Sequence, residues 1–136
     1  MKDPQVRNLR DAEAIAMGYE RALTCMEDVR RFAGRVARSR WWAEQGGPSL
    51  VEVFYEFKLD YAQAVKTGDY GDLWLPRWAW NEPTVLHELA HLVVWRGQNH
   101  GPTYAGRRLE IEEEFGSKRG AKRLRAEFER RGVRVR

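Results

Sequence analysis

The spacing of apolar residues divides the chain into a helical first third, a strand-rich middle and a helical last part. Apolar side chains recur about every three or four positions in residues 7–24 and again in residues 26–42. This spacing predicts two amphipathic helices, or one broken helix. Gly46, Gly47 and Pro48 then end the helical region.

Three short apolar runs follow and predict three short strands. They cover residues 51–57, 61–65 and 72–75, and a turn at Gly68 separates the second run from the third. Pro76 ends the third run, because proline cannot donate to a ladder and favours the ends or edges of strands. If residues 72–75 form a sheet edge, they could pair with an extended peptide.

The next element is predicted to be a buried helix. Asn81 is the expected N-cap, with Pro83 in the first turn. Residues 85–94 are apolar on nearly every side of a helix, so this helix is expected to be central. Gly97 is a natural stop for it.

Two further helices complete the predicted order. One begins after Pro102 and runs to about Phe115, where Gly116 breaks it, and a basic helix follows over residues 118–131. The succession of helices, a small sheet and helices predicts an α+β fold. At 136 residues, one domain spanning the chain is expected.

Positive charge is concentrated at the C-terminal end of a chain whose net charge is +4. Residues 118–136 contain nine lysines or arginines but only two acidic residues, Glu127 and Glu129. Such a basic segment could contact nucleic acid. The alternative is a solvated helix face whose basic residues lie near a helix C-terminus.

Cysteine usage and hydropathy indicate the cellular environment. A lone cysteine, Cys25, cannot form an internal disulfide and is expected to be a buried, small apolar residue. The first residues are polar and charged, so neither a signal core nor a spanning segment of about 20 residues is found. These features predict a soluble, cytoplasmic protein without a membrane partner.

The stretch HELAHLVVWRGQNHGP contains all three histidines of the chain. His87 and His91 are four residues apart, so on a helix they project from one face and can hold a single ion. Imidazole nitrogens suit Zn²⁺. Glu88 lies beside that face and suits a general base that takes a proton from the attacking water.

A third ligand is needed, because a catalytic zinc ion normally has three protein ligands. His100 is the first candidate, since a reversal at Gly97 can return it to the ion. The alternative is a glutamate of the next helix, namely Glu110, Glu112 or Glu113.

The motif also has readings without a metal. An HExxH sequence occurs by chance on apolar helices, and His100 alone would be ordinary polar surface. Burying His87, Glu88 and His91 without partners, however, would cost several kcal/mol. The combination therefore favours a metal site.

The segment LPRWAWNEPTVLHELAHLVVWRGQNHGPTYAG resembles a family of small metallohydrolases of bacteria and their phages. The strong match covers roughly residues 73–106, and GVRV at residues 132–135 resembles the end of that family. The HELAH and HGP motifs are more distantly similar to SprT-like zinc metallopeptidases. The resemblance implies a zincin-like core with the HExxH helix on a small sheet.

By the same resemblance, His87, His91 and His100 would be the zinc ligands and Glu88 the general base. Tyr104 stands where phenylalanine is most frequent in the family. Its ring is expected to pack in the core or at the rim, and a hydroxyl directed at a developing oxyanion is the alternative.

Together these patterns predict a zinc-dependent hydrolase, specifically a metallopeptidase that acts on a protein or peptide. One alternative is a nucleic-acid-associated, SprT-like protease that acts on DNA-bound proteins. Another is a non-enzymatic binding module that zinc stabilises. Five tryptophans are expected to pack in the core and at its rim, with a substrate groove as the alternative; they are Trp41, Trp42, Trp74, Trp78 and Trp80.

Overall fold

The computed structural model describes residues 4–17, 21–58, 61–94 and 100–136. Within these ranges the chain forms six α-helices, a 3₁₀ turn and one three-stranded sheet, which confirms the predicted α+β class. The elements in chain order are α1 Pro4–Met17, α2 Met26–Ala37, α3 Arg40–Glu44, β1 Leu50–Tyr55, β2 Gln63–Thr67, β3 Tyr70–Leu75, the 3₁₀ turn Arg77–Ala79, α4 Glu82–His91, α5 Pro102–Phe115 and α6 Lys118–Arg130.

These elements group into two compact units. A helical unit consists of residues 1–20 and 94–136, and a sheet unit consists of residues 21–93. Every helix in the described ranges falls short of the length and apolar character that a membrane crossing requires.

The helical unit is built from α1, α5 and α6, with α6 in contact with both other helices. Gly116 ends α5 as predicted, and Ser117 then caps α6 by accepting a hydrogen bond from the Gly120 N–H at 2.8 Å. Apolar side chains from all three helices form the core: Leu9, Ala12, Ala16, Tyr104, Ala105, Leu109, Ile111, Ala121, Leu124 and Phe128.

A buried ionic network crosses this helical core. The Arg108 guanidinium donates to Glu13 at 2.6 Å and to Glu112 at 3.1 Å, and both Arg108 and Glu112 are fully buried. Burial alone would lower the pKa of Arg108, but the charges of Glu13 and Glu112 outweigh it and raise the pKa. The second Glu112 oxygen accepts from the Ser117 N–H at 2.9 Å, so the network also anchors the start of α6.

The sheet unit has the strand order β1-β3-β2. Strands β2 and β3 form an antiparallel hairpin around Gly68, whose φ of +58° suits glycine. Strand β1 pairs with β3 in parallel. The prediction that residues 72–75 form a sheet edge is therefore wrong, because β1 and β2 flank that strand on both sides. Strands that follow each other in sequence are usually neighbours in a sheet, which would have placed β3 at the edge beside β2. Here β1 and β2 are not neighbours, because β3 is inserted between them.

One face of the sheet is covered by helices. Helix α2 contacts β1 and α4, and α4 contacts β2. Leu73 and Leu75 of β3 are completely buried on this side. Gly71 makes the close approach possible, since a Cβ there would come within 2.8 Å of a methyl group of Leu92, just after α4. Arg30 of α2 covers the outer edge of β1 by donating to the Val53 carbonyl at 3.2 Å.

The first predicted helix extended too far. Helix α1 ends at Met17, and Arg21 has a positive φ of 59° that is incompatible with a continuing helix. Ala22 then forms a β-bridge with Asn81, and the Leu23 N–H donates to the Trp80 carbonyl at 2.9 Å. This long-range pairing overrides the local helical pattern.

Two other local expectations also need correction. Cys25 is exposed, contrary to the predicted burial, because it occupies the N-cap position of α2, outside the packed face of that helix. The predicted helix over residues 26–42 is divided into α2 and α3. Ser39 starts the second helix, because its Oγ accepts from the Trp42 N–H at 3.1 Å.

The tryptophans divide between packing and exposure. Trp42 is buried and donates to the Pro48 carbonyl at 2.8 Å. Trp80 is largely buried, with its ring edge-on to Tyr55 at 5.3 Å. Trp41 and Trp74 are half-buried, whereas Trp78 is 46 % exposed. Burial of Trp42 and Trp80 confirms the packing prediction for these two residues, whereas the exposure of Trp78 does not agree with it.

Candidate metal centre

Asn81 starts the helix that carries the HExxH motif. Its side-chain oxygen accepts from the Thr84 N–H at 2.9 Å, and its amide nitrogen donates to the Trp78 carbonyl at 3.1 Å. The N-cap prediction is confirmed. Because Asn81 is buried, both bonds are shielded from water, and they tie the first turn of α4 to the preceding 3₁₀ turn.

Replacing Asn81 tests this anchor. We expect Asn81→Ala to lower the free energy of unfolding by about 1 kcal/mol, since removing an N-cap side chain typically costs about 0.5–2 kcal/mol. Asn81→Asp keeps the acceptor but loses the donor to Trp78, so its loss should be smaller. Urea unfolding of both variants measures the difference. Equal losses would show that the cap is not the source of the stability.

His87, Glu88 and His91 lie in the last two turns of α4. The imidazole rings of His87 and His91 are 5.0 Å apart between centroids, at an angle of 74°. The Glu88 side chain is only 9 % exposed, and its Oε2 lies 3.8 Å from His87 Nε2. A carboxylate is therefore held beside a ring nitrogen that can bind a metal.

His100 has an unusual backbone conformation. Its φ of +58° lies in the left-handed region, which residues with a side chain seldom adopt. Holding a residue there costs on the order of 1–3 kcal/mol and persists only where the surrounding structure enforces it. Its ring meets the buried Tyr104 ring edge-on at 5.0 Å. Helix α4 ends at His91 with Leu92 as its C-cap, earlier than the predicted stop at Gly97, which itself lies outside the described residues.

Three side chains with metal-binding atoms come together in the part of the chain that the structure describes. His87, His91 and His100 each offer one ring nitrogen, and these atoms lie within 4.8 Å of one another. All three residues are partly buried. Three imidazoles match the ligand type that zinc prefers, and these three residues would hold such an ion.

The alternative glutamate ligands are directed elsewhere. Glu112 is fully buried and bound to Arg108, whereas Glu110 is exposed and pairs with Arg107. Glu113 is also exposed. In the described ranges, the one group of three metal-binding side chains contains no glutamate.

Tyr104 is completely buried, which agrees with the expectation that its ring packs in the core.

The sequence pattern did not predict that Arg108 is buried in an ionic network. Its only local signal is the four-residue spacing to Glu112, which is typical of exposed helical pairs as well.

Comparisons with protein-family models, with curated proteins and with solved structures found no match to this chain. The resemblance to bacterial and phage metallohydrolases stays a prediction from the motifs.

Proposed function

We propose that this chain is a zinc-dependent hydrolase with a zincin-like fold, and specifically a metallopeptidase. His87, His91 and His100 are the proposed ligands and Glu88 the general base. The observation that carries the proposal is the group of three ring nitrogens within 4.8 Å. Zinc, when bound, supplies a Lewis acid that polarises the carbonyl of the substrate.

The position of Glu88 supports its role as the base. Its carboxylate is nearly buried on α4, beside a proposed ligand rather than in line with His87 and His91. A carboxylate there can take a proton from the attacking water and return it to the leaving amine. Because the Glu88 side chain is only 9 % exposed, solvent screens its electrostatic interaction with the proposed site only weakly.

The direct test combines metal analysis with an unbiased cleavage assay. Purified protein should contain about one zinc ion per chain. The zinc-loaded protein should cleave members of a peptide library, and cleavage should stop after chelation and return with added zinc. Stoichiometric zinc without any cleavage would contradict the hydrolase and favour a zinc-stabilised binding module. Absence of zinc binding would contradict the proposal that His87, His91 and His100 form a zinc site.

The third ligand can be tested by itself. We expect His100→Ala to weaken zinc binding steeply, because two imidazoles and water would remain. Glu113→Gln is the matched control, since that exposed glutamate should leave zinc affinity unchanged. Competition with a chromophoric chelator measures both affinities. Normal zinc binding by His100→Ala, with loss in Glu113→Gln, would move the third ligand to α5.

A second candidate function has one observation in its favour. Helix α6 exposes Lys118, Lys122 and Arg125, which share one helical face. Within the described residues none of the three forms an ion pair. Such a row of unneutralised cations can contact nucleic-acid phosphates, as a DNA-associated protease would require.

Salt dependence tests this candidate. We expect the triple variant Lys118→Gln, Lys122→Gln, Arg125→Gln to flatten the plot of log affinity against log salt by about 0.9 for each lost phosphate contact on duplex DNA. Arg130→Gln is the control, because Arg130 is already paired with Glu127 at 3.0 Å. Fluorescence anisotropy with a labelled duplex measures the slopes. Equal slopes in the parent and the triple variant would show that this face of α6 does not contact DNA phosphates.

A further inference from the structure

The sheet has a second face, opposite the side that the helices cover. Strand register places nine side chains on it in three rows of three. We call this surface the outer sheet face; its rows are Leu50–Tyr70–Thr67, Glu52–Asp72–Val65 and Phe54–Trp74–Gln63.

The apolar part of the outer sheet face is accessible to solvent. Tyr70 is 59 % exposed and Leu50 is 45 % exposed, so the first row carries a broad apolar surface. In the third row, Phe54 and Trp74 are half-buried and stacked, with ring centroids 4.5 Å apart. The outer sheet face therefore presents two separate apolar rows to solvent, and exposed apolar patches bordered by polar residues mark interaction sites on folded proteins.

Two carboxylates lie between these apolar rows. Glu52 and Asp72 are direct register partners on β1 and β3. Like charges opposite each other destabilise a sheet. In the part of the chain that the structure describes, neither carboxylate makes an ion pair or a side-chain hydrogen bond, although the chain contains 24 lysines and arginines. The middle row is therefore an uncompensated negative strip.

We propose that the outer sheet face binds a peptide segment of a partner protein that presents arginine between apolar residues. A guanidinium can bind two carboxylate oxygens in a bidentate manner, as the middle row offers. Its planar face can stack on Tyr70 or on Trp74, on either side of that row. Apolar neighbours of the arginine then cover Leu50 and Phe54.

Charge complementarity selects this occupant. Nucleic acid and anionic lipid would be repelled by Glu52 and Asp72, whereas an uncharged apolar segment would leave both carboxylates unpaired. The proposal concerns the sheet alone and does not depend on metal binding or catalysis.

The probe is a capped peptide of about ten residues that alternates leucine and arginine, a length suited to a short sheet face. Amide NMR spectra of the full chain, recorded during titration, should shift at β1, β3 and the Trp74 indole. The double variant Glu52→Gln, Asp72→Asn should weaken binding by at least about tenfold, because charge-assisted hydrogen bonds are lost. The same peptide with citrulline in place of arginine should bind the parent as weakly as the arginine peptide binds the double variant.

The matched control removes two charges elsewhere. Glu114 and Glu129 are exposed, so Glu114→Gln, Glu129→Gln changes the net charge equally and should leave affinity unaltered. Dispersed amide spectra verify that each variant is folded. Equal affinity for the citrulline peptide, equal loss in the control variant, or shifts confined to other elements would overturn the proposal.

Self-association is the competing outcome. Sedimentation that shows a concentration-dependent dimer, abolished by Tyr70→Ser but not by Phe57→Ser, would assign the face to a second copy and overturn the proposed partner. Both residues are exposed aromatics, and only Tyr70 lies on the outer sheet face. A monomeric parent that binds the arginine peptide supports the proposal.

Discussion

Glu88→Gln is expected to reduce turnover by at least about two orders of magnitude while zinc stays bound, since general acid-base catalysis typically contributes about 10²–10⁴. The substitution keeps the size of the nearly buried side chain and removes only its basicity. Peptide cleavage under saturating substrate measures the loss, and metal analysis of the same preparation measures zinc.

The control is Glu113→Gln, an exposed glutamate on α5 whose replacement should leave turnover unchanged. If Glu88→Gln cleaves peptides at the parent rate, Glu88 has no part in the reaction. If the variant loses zinc as well as activity, the substitution has damaged the site and Glu88 acts in metal binding.

Arg108→Ala is expected to lower the free energy of unfolding by about 3–5 kcal/mol, the usual effect of breaking a buried ion pair by removing one partner. The loss comes mainly from the two carboxylates that would remain in the core without a counter-charge. Glu112 is completely buried and the Glu13 side chain is 12 % exposed. Urea unfolding followed by far-UV circular dichroism provides the measurement.

Two comparisons isolate the cause. Removing all three charges together, as Arg108→Met, Glu13→Gln, Glu112→Gln, should cost much less than Arg108→Ala, because no unpaired charge remains and the amide can still accept from Ser117. Arg130→Ala breaks an exposed pair of the same chemistry and should cost less than about 1 kcal/mol. An equal loss from the triple variant would attribute the stability to packing instead.

Elements defined by local chemistry could be predicted from the sequence. Asn81 caps α4, Pro76 follows the last strand and Gly116 separates the last two helices, because each residue type determines the backbone conformation near its own position. The same is true of the spacing that puts His87 and His91 on one helical face. These features could be predicted because each depends on residues only a few positions apart in the sequence.

Features that depend on distant segments could not be predicted. The pairing of Ala22 with Asn81 ends the helical pattern early, and no residue near Ala22 signals that pairing. The insertion of β3 between β1 and β2 is likewise a matter of long-range register. For the site, the helix could be predicted but the left-handed φ of His100 could not.

The helical unit combines α1 with α5 and α6, which follow it only after the whole sheet unit, and this order matters during synthesis on the ribosome. Helix α1 packs on α6, and Gln5 bonds to Arg134 across 129 positions. At about 5–20 residues per second, the roughly 100 residues between these helices delay the burial of α1 by about 5–20 s. The contiguous sheet unit can collapse meanwhile, so the nascent chain exposes Leu9, Ala12 and Ala16 to chaperones until α6 has been synthesised.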